Sequence, residues 1–190
     1  MKLHFRIAAC LLALLLAGCA ATWVRVEDAD SRYRGEHYSV TLPAGWMRSE
    51  VGDSLVLSRD GLDLQRIVIE YRSHEKAFEK IEKSSSAGML PSELAELTIA
   101  ELKASQEDGL PSLEILDNRP MEIAGITGYA LHLRFKTDAG LRIEVLLRGF
   151  VDEDGLYQLL YRAPMLHYFG RDREVYESIT ESMQHQSGSS

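Results

Sequence analysis

The chain has 190 residues, enough for one ordinary domain, and it carries 29 acidic residues against 21 Lys and Arg, a formal net charge of −8. This acidic balance argues against nucleic-acid binding, which requires a basic surface. The two cysteines are Cys10 and Cys19, so a disulfide, a thiol nucleophile or a cysteine metal site is excluded beyond residue 19. The stability of the domain must therefore come from packing.

The first 18 residues have the layout of a secretory signal peptide. Lys2 and Arg6 give a positive start, and the apolar run 7–17 is too short to span a bilayer. The end of this run, Leu16-Ala17-Gly18-Cys19, resembles the lipobox of bacterial lipoproteins. The resemblance implies cleavage between Gly18 and Cys19 and acylation of Cys19 with diacylglyceryl and palmitate-type chains. Each buried methylene of such chains stabilises by about 0.8 kcal/mol, which amounts to durable membrane anchoring.

The residues after the cysteine predict a location and a tether. Ala20 stands where aspartate retains lipoproteins at the inner membrane of a Gram-negative host, so the resemblance implies the outer membrane, with the domain facing the periplasm. Segment 19–35 lacks a sustained period and is predicted to be a lipidated, flexible tether, with a contact of Trp23-Val24 near the membrane. The folded domain is predicted at 36–184, followed by a disordered polar tail at 185–190.

The first half of the domain is predicted to be rich in strands. Residues 38–42 alternate and then reach a turn at Pro43-Ala44-Gly45-Trp46, and the runs 54–59 and 62–71 are joined at Asp60-Gly61, a strong hairpin signal. A short amphipathic helix and a flexible loop are predicted within 73–90. A longer helix is predicted after Pro91, with Ser92 as its N-cap and its end near Asp108-Gly109.

The second half returns to strands. Residues 113–116 and 121–123 are predicted strands, and 129–136 alternate clearly between apolar and polar side chains. A three-residue loop, Asp138-Ala139-Gly140, sets Arg134 opposite Glu144. A second three-residue hairpin loop of the same type is predicted at Glu153-Asp154-Gly155. It is predicted to set Leu147 opposite Tyr161 and Gly149 opposite Leu159. A last helix is predicted from Asp172.

The order of elements, strands, helix, strands, helix, predicts an antiparallel α+β domain. Several stretches then resemble the PsbP/Mog1-like superfamily and, within it, bacterial lipoproteins of the DcrB type; they are 38–46, Met121-Glu122-Ile123-Ala124-Gly125, 155–164, Phe169 and the closing helix. The resemblance implies an antiparallel β-sheet flanked by helices, a three-layer α/β/α sandwich. It also implies a binding or assembly accessory, which is the role of most members, and the shared motif supplies no catalytic residues.

The candidates for chemistry are weak. None of the histidines beyond the signal segment shows a metal-ligand spacing, and each is interpreted as a solvated or hydrogen-bonded surface group; they are His37, His74, His132, His167 and His185. Asp152-Glu153-Asp154-Gly155 resembles the start of a calcium loop but lacks the downstream acid, so a hairpin turn is favoured. Ser84, Ser85 and Ser86 lack a nucleophile context. No metal, cofactor or catalytic residue is predicted.

The segment between the last strand and the last helix is the strongest candidate for a contact surface. Leu166, His167, Tyr168 and Phe169 concentrate apolar and aromatic groups in a loop, where exposed examples commonly mark partner contacts. The alternative, that Leu166 and Phe169 fill the gap between sheet and helix, is favoured for packing reasons. A second candidate patch is the polar phase of the strands; its members are Arg134, Glu144, Arg148 and Arg162.

These observations lead to a functional hypothesis with two alternatives. The leading hypothesis is a membrane-anchored, non-enzymatic accessory lipoprotein that binds an envelope protein. The main alternative is a module that binds a small molecule or a lipid, which would need an apolar cavity between sheet and helices. A hydrolase is the third possibility.

Overall fold

The computed structural model describes residues 22–28, 31–107 and 110–186, and Gly18 and Cys19 lie outside them. The strands of this part of the chain are β1 (Val24–Arg25), β2 (Arg32–Arg34), β3 (Tyr38–Thr41), β4 (Met47–Val51), β5 (Ser54–Ser58), β6 (Arg66–Ser73), β7 (Glu114–Ile123), β8 (Ile126–Lys136), β9 (Arg142–Val151), β10 (Gly155–Pro164) and β11 (Gln184–His185). The α-helices are α1 (Pro91–Ala104) and α2 (Gly170–Glu181). Among the described residues, no helix combines the length and the apolar character needed to cross a membrane.

The strands form two antiparallel sheets. The large sheet has eight strands in the order β1-β4-β5-β6-β10-β9-β8-β7, and the small sheet has three in the order β11-β3-β2. Helix α1 packs on one face of the large sheet, whereas α2 and the small sheet cover the other. The predicted antiparallel α+β sandwich is therefore confirmed, with a small sheet as an addition to the second outer layer.

Alternation along the central strands separates two cores, because successive side chains of a strand lie on opposite faces. Beneath α1, Leu94 and Ala95 pack on Leu131, Leu133 and neighbouring aliphatic side chains. The core on the opposite face combines aliphatic side chains with seven aromatic ones, which are Tyr38, Trp46, Phe150, Tyr157, Tyr161, Phe169 and Tyr176. We call these the α1 face and the α2 face of the sheet.

The register of β8 and β9 is as predicted. Thr137 donates its N–H to Leu141 O (2.9 Å), and Arg134 lies opposite Glu144. Gly140, with φ of 75°, takes the left-handed position of the loop. Here the chemistry of the loop and the pairing of charges both favour one register, so the sequence pattern was sufficient.

The predicted register of β9 and β10 is wrong by one residue. Leu160 lies opposite Leu147, and Tyr161 opposite Leu146. The loop has two residues, because Asp152 N–H bonds Gly155 O (3.1 Å) and Asp152 Oδ1 accepts the N–H of Gly155 (3.1 Å). Gly155 thus belongs to the strand, where a Cβ would lie only 2.3 Å from the carbonyl oxygen of Arg72.

The predicted tether is also corrected over its described residues. β1 pairs with β4 and β2 pairs with β3, so both short strands belong to the folded domain. Between them Val26 is buried, and its backbone exchanges hydrogen bonds of 2.8 Å with Gly45 and Trp46. The predicted tail is shortened in the same way, because β11 pairs with β3 and places His185 opposite Tyr38.

Other boundaries differ in detail. The helix predicted within 73–90 is two short 3-10 turns, His74–Lys76 and Glu79–Ile81. Helix α1 begins at Pro91 with Leu90 at the N-cap, so Ser92 is not the cap. β7 runs unbroken through Pro120, which an edge strand tolerates because one side of its backbone needs no partner.

Candidate functional site

The bend Met165–Phe169 joins β10 to α2 and has an unusual backbone. Its residues are helix-like except for Leu166 (φ −78°, ψ 129°) and His167 (φ 72°, ψ −56°). The values at His167 are those of a classic γ-turn, which is rare and strained for a residue with a Cβ. This reversal leaves Leu166 74% exposed while Phe169, three residues later, is buried. Of the two residues predicted to fill the gap, Phe169 does so and Leu166 does not.

The bend is held firmly by aromatic side chains beneath it. The hydroxyl of Tyr161 lies 2.9 Å from Tyr168 O and 3.1 Å from Phe169 O, so it donates to the backbone of the bend. The ring of Phe169 stacks between those of Tyr161 and His132, with centroids 5.4 Å away in each case. The exposure of Leu166 is therefore a property of a fixed backbone.

A cluster of charged groups adjoins the bend through His132. Its Nε2 lies 2.7 Å from Glu144 Oε2, and Arg134 binds Glu144 Oε1 through Nη2 at 2.7 Å. Because a carboxylate only accepts, Nε2 of His132 carries the shared hydrogen. Burial raises the pKa of Glu144, but the hydrogen bonds from Arg134 and His132 outweigh it and hold this pKa below its ordinary value. Glu144 is thus a charged carboxylate on the sheet that binds both His132 and Arg134.

The predicted polar patch is split by the true register of β10. Arg134, Glu144 and Arg148 lie on the α2 face, whereas Arg162 lies opposite Val145 on the α1 face and packs over the ring of Phe135. Assigning Arg162 to the patch was wrong because a shift of one residue exchanges the two faces of a strand. Arg148 is itself covered by α2, where it pairs with Glu177 and lies over Tyr176.

We name the bend surface as the side chains of Leu166, His167 and Tyr168 with the adjoining His132 and Arg134. His132 and Arg134 are partly exposed, with 22% and 32% of their side chains accessible. Arg171 lies over the ring of Tyr168 at 5.0 Å from its centroid. Apolar and charged groups therefore meet on one firmly held surface. The sequence could not show that His132 belongs to it, because its stacking on Phe169 depends on tertiary packing.

The remaining histidines have separate partners. His37 stacks on Tyr71, and His185 Nδ1 lies 3.3 Å from Asp152 Oδ2. His74 Nδ1 lies 2.8 Å from Ser85 Oγ, a serine–histidine pair that the sequence analysis missed. Ser85 is buried and its N–H also bonds His74 O (2.9 Å), so the pair fastens the segment between them rather than presenting a nucleophile.

The acidic loop is a hairpin turn in this structure, as Asp152 Oδ1 bonds the backbone N–H of Asp154 and Gly155. Within 22–28, 31–107 and 110–186, no group of three or more His, Cys, Asp or Glu side chains is placed to hold a metal ion.

A polar pocket of about 630 Å³ lies where β1 and β2 approach each other. Its lining includes Arg25, Arg32, Arg34 and Arg48, with Glu27 and Glu50. Arg48 pairs with Glu50 at 2.8 Å and Arg32 donates to Ser39 Oγ at 2.9 Å. In the described chain no carboxylate lies within ion-pair distance of Arg34. The pocket is at the edge of the sheets and is charged, unlike the interior apolar cavity that ligand binding was expected to need.

Comparison with known proteins relates the chain to solved structures through its fold. No protein family and no curated protein matches its sequence. The solution structure of PsbP from the cyanobacterium Synechocystis is similar with a TM-score of 0.57 and 11% identity, covering 90% of this chain and 96% of that one. LpqN of Mycobacterium tuberculosis, described as involved in cell envelope biogenesis, gives 0.56 and 15%, covering 93% and 97%.

A structure of a Mog1 variant gives a TM-score of 0.53 and 10% identity, covering 86% of this chain and 95% of that one. At these identities the similarity concerns the fold alone. The chain has a PsbP/Mog1-like α+β fold.

Proposed function

We propose that this chain is a non-enzymatic accessory lipoprotein of the bacterial cell envelope, anchored through Cys19, that binds an envelope protein with its bend surface. The observation that carries the proposal is Leu166, 74% exposed on a backbone that is held in place by Tyr161 and Phe169. Outer-membrane attachment facing the periplasm is part of the proposal and derives from Ala20. The envelope role stated for LpqN supports it through a shared fold.

The composition of the bend surface suits a protein partner. An apolar side chain that enters a pocket, surrounded by polar groups that exclude water, is the arrangement found at interface hot spots. Leu166 would supply the apolar centre, with His132 and Arg134 at its rim. The strained His167 fits this role, because strain persists where the surrounding structure enforces it and commonly marks functional positions.

Crosslinking in intact cell envelopes tests the contact directly. A photoreactive amino acid in place of Leu166 is expected to capture a defined protein, identified by mass spectrometry. The matched control is the same group at Leu90, which is 65% exposed at the start of α1 on the other face. Equal capture at both positions, or none at Leu166, would refute the proposed surface.

The anchor needs its own test. Cys19→Ala is expected to leave an uncleaved precursor without acyl chains, measured by the mass of the protein and by its distribution between membrane and soluble fractions. A variant that is still processed and acylated like the wild type would contradict the lipid assignment.

The charged pocket at β1 and β2 favours a second candidate, the binding of an anionic small molecule. Arginine guanidinium groups recognise carboxylates and phosphates, and Arg34 has none of the described carboxylates within ion-pair distance. Calorimetric titration with inorganic phosphate and with citrate is the measurement. Arg34→Ser should weaken any binding at this pocket, whereas binding that is unchanged by the substitution would place the anion elsewhere.

A further inference from the structure

A second exposed apolar surface lies close to the first described residues. Trp23, Met47 and Leu62 line an open pocket of about 260 Å³, and Leu64 is exposed in the same loop as Leu62. Trp23 is 37% exposed, Leu62 is 40% and Leu64 is 37%. We call these four residues the Trp23–Leu62 surface. It does not belong to the bend surface and has no role in the proposed partner contact.

The loop that carries Leu62 and Leu64 is fixed by a buried glutamine. The side chain of Gln65 accepts the N–H of Arg59 (3.1 Å) and a hydrogen bond from Ser58 Oγ (3.2 Å). Ser58 Oγ in turn accepts the N–H of Gly61 (3.1 Å). A loop with this internal bonding has a defined shape, so its two leucines are held at the surface by the fold.

The position of β1 limits how far this surface can be from an anchor at Cys19. Because β1 pairs with β4 and Val26 is buried, the chain is already part of the domain at Val24. Four residue steps separate Cys19 from Trp23, a reach of at most ~13 Å at 3.3 Å per residue. A tether extending to residue 35 would have allowed the domain to move far from the bilayer. The structure leaves only this short connection.

We infer that the Trp23–Leu62 surface rests in the interfacial region of the phospholipid bilayer that holds the lipid anchor. This inference depends on the proposed acylation of Cys19. Tryptophan and leucine partition favourably at this depth, and a short connection to an embedded anchor gives them a high effective concentration there. The contact is apolar in character, since the nearby Arg59 is paired with Asp172 at 3.1 Å.

Such a contact would fix the orientation of the domain. Arg171, at the start of α2, forms an ion pair with Asp60 in the loop that carries Leu62. Arg171 also lies over the ring of Tyr168 in the bend surface, so this part of the bend surface lies at the same end of the molecule as the Trp23–Leu62 surface. A bilayer at this end would bring the partner-binding residues close to the membrane as well.

Tryptophan fluorescence in vesicles tests the inference on the full acylated protein. The chain has two tryptophans, and Trp46 is 1% exposed, so it serves as an internal reference. The protein is reconstituted into vesicles of phosphatidylethanolamine and phosphatidylglycerol, with and without brominated acyl chains. We expect the brominated lipid to quench Trp23 and the plain vesicles to shift its emission to the blue. In Trp23→Phe, the remaining emission of Trp46 should be unquenched.

A matched control and a loss-of-contact variant complete the test. Leu90→Trp in the Trp23→Phe background places an exposed tryptophan away from the surface, and it should not be quenched. Leu62→Ser with Leu64→Ser should reduce the quenching of Trp23. If vesicles carry the protein during flotation but Trp23 is not quenched, the inference is refuted while the anchor stands. If the purified protein has no acyl chain by mass spectrometry, the anchor fails and the inference fails with it.

Discussion

The two faces of the large sheet bury different chemistry. Beneath α1, aliphatic side chains surround one small polar group, in which Gln158 Nε2 and Thr98 Oγ1 donate to the hydroxyl of Tyr129 at 2.6 and 2.9 Å. The α2 face combines stacked aromatic rings with the ion pair of Glu144 and Arg134, and the Glu144 carboxylate is more deeply buried than that of Glu101, which pairs with Arg72 beside α1. We expect the α1 core to contribute chiefly to stability, whereas the α2 face holds the ion pair of Glu144 beside the strained bend.

Truncation of the α1 core should have the largest effect on stability. Leu133 is fully buried, and Leu133→Ala is expected to lower the free energy of unfolding by about 3 kcal/mol through lost burial and a residual cavity. Ile115, directly opposite on the edge strand and 54% exposed, is the matched control. Urea denaturation measures both. Equal losses at the two positions would show that the α1 core is not the main source of stability.

Removal of the buried hydroxyl beneath α1 should have a moderate effect. Tyr129→Phe leaves the donors of Thr98 and Gln158 without their shared acceptor, and we expect a loss of about 2 kcal/mol in the free energy of unfolding. Binding of a partner by the bend surface should be unchanged. A variant as stable as the wild type would mean that the polar group is dispensable for the α1 face.

Neutralisation of Glu144 should lower the free energy of unfolding by a smaller amount that depends on pH. Because the pKa of Glu144 is lowered in the folded state, its contribution is complete above its ordinary pKa of 4.5 and is lost as pH falls through the lower folded pKa. Glu144→Gln is expected to cost about 1 kcal/mol at pH 7 and less at pH 3.

Urea denaturation of this variant and the wild type at both pH values measures the difference. Glu114, whose side chain is 59% exposed and 3.8 Å from Arg134, is the control through Glu114→Gln. A cost that is independent of pH would contradict the assigned charge of Glu144.

Truncation of the exposed leucine should leave stability almost unchanged. Leu166→Ala is expected to alter the free energy of unfolding by less than about 0.5 kcal/mol, as is usual for exposed positions. Loss of the crosslinked partner by this stable variant would separate function from folding and sharpen the contrast between the faces. A large destabilisation would instead show that Leu166 has a packing role.

The sequence correctly predicted the strands and the register that depend on residues close together in the chain. Alternation in β8 and the pairing of Arg134 with Glu144 specified one register, which the structure confirms. The predicted register of β9 and β10 was wrong because Gly155 was assigned to the turn. Gly155 belongs to the strand, where it lies against the backbone of Arg72 in β6. That one-residue error also carried Arg162 to the wrong face. Local signals cannot reveal such long-range contacts.

Short strands were missed for a similar reason. β1 has two residues, too few for a period, and it is stabilised by pairing with β4 and by the burial of Val26. In the bend, the concentration of apolar residues indicated the correct segment. Which of them is exposed depends on the positive φ of His167, for which the sequence offers no glycine or asparagine as a signal.

The small sheet has a consequence for the order of folding. Its central strand, β3, lies between β2 from the start of the domain and β11 from its end. A layer of this kind cannot be completed until residues 184 and 185 are available to pair with β3, and contacts between such distant segments form slowly. The small sheet therefore cannot form by folding that proceeds in chain order from the N-terminus. Until residues 184 and 185 pair with β3, the small sheet lacks one of its two outer strands.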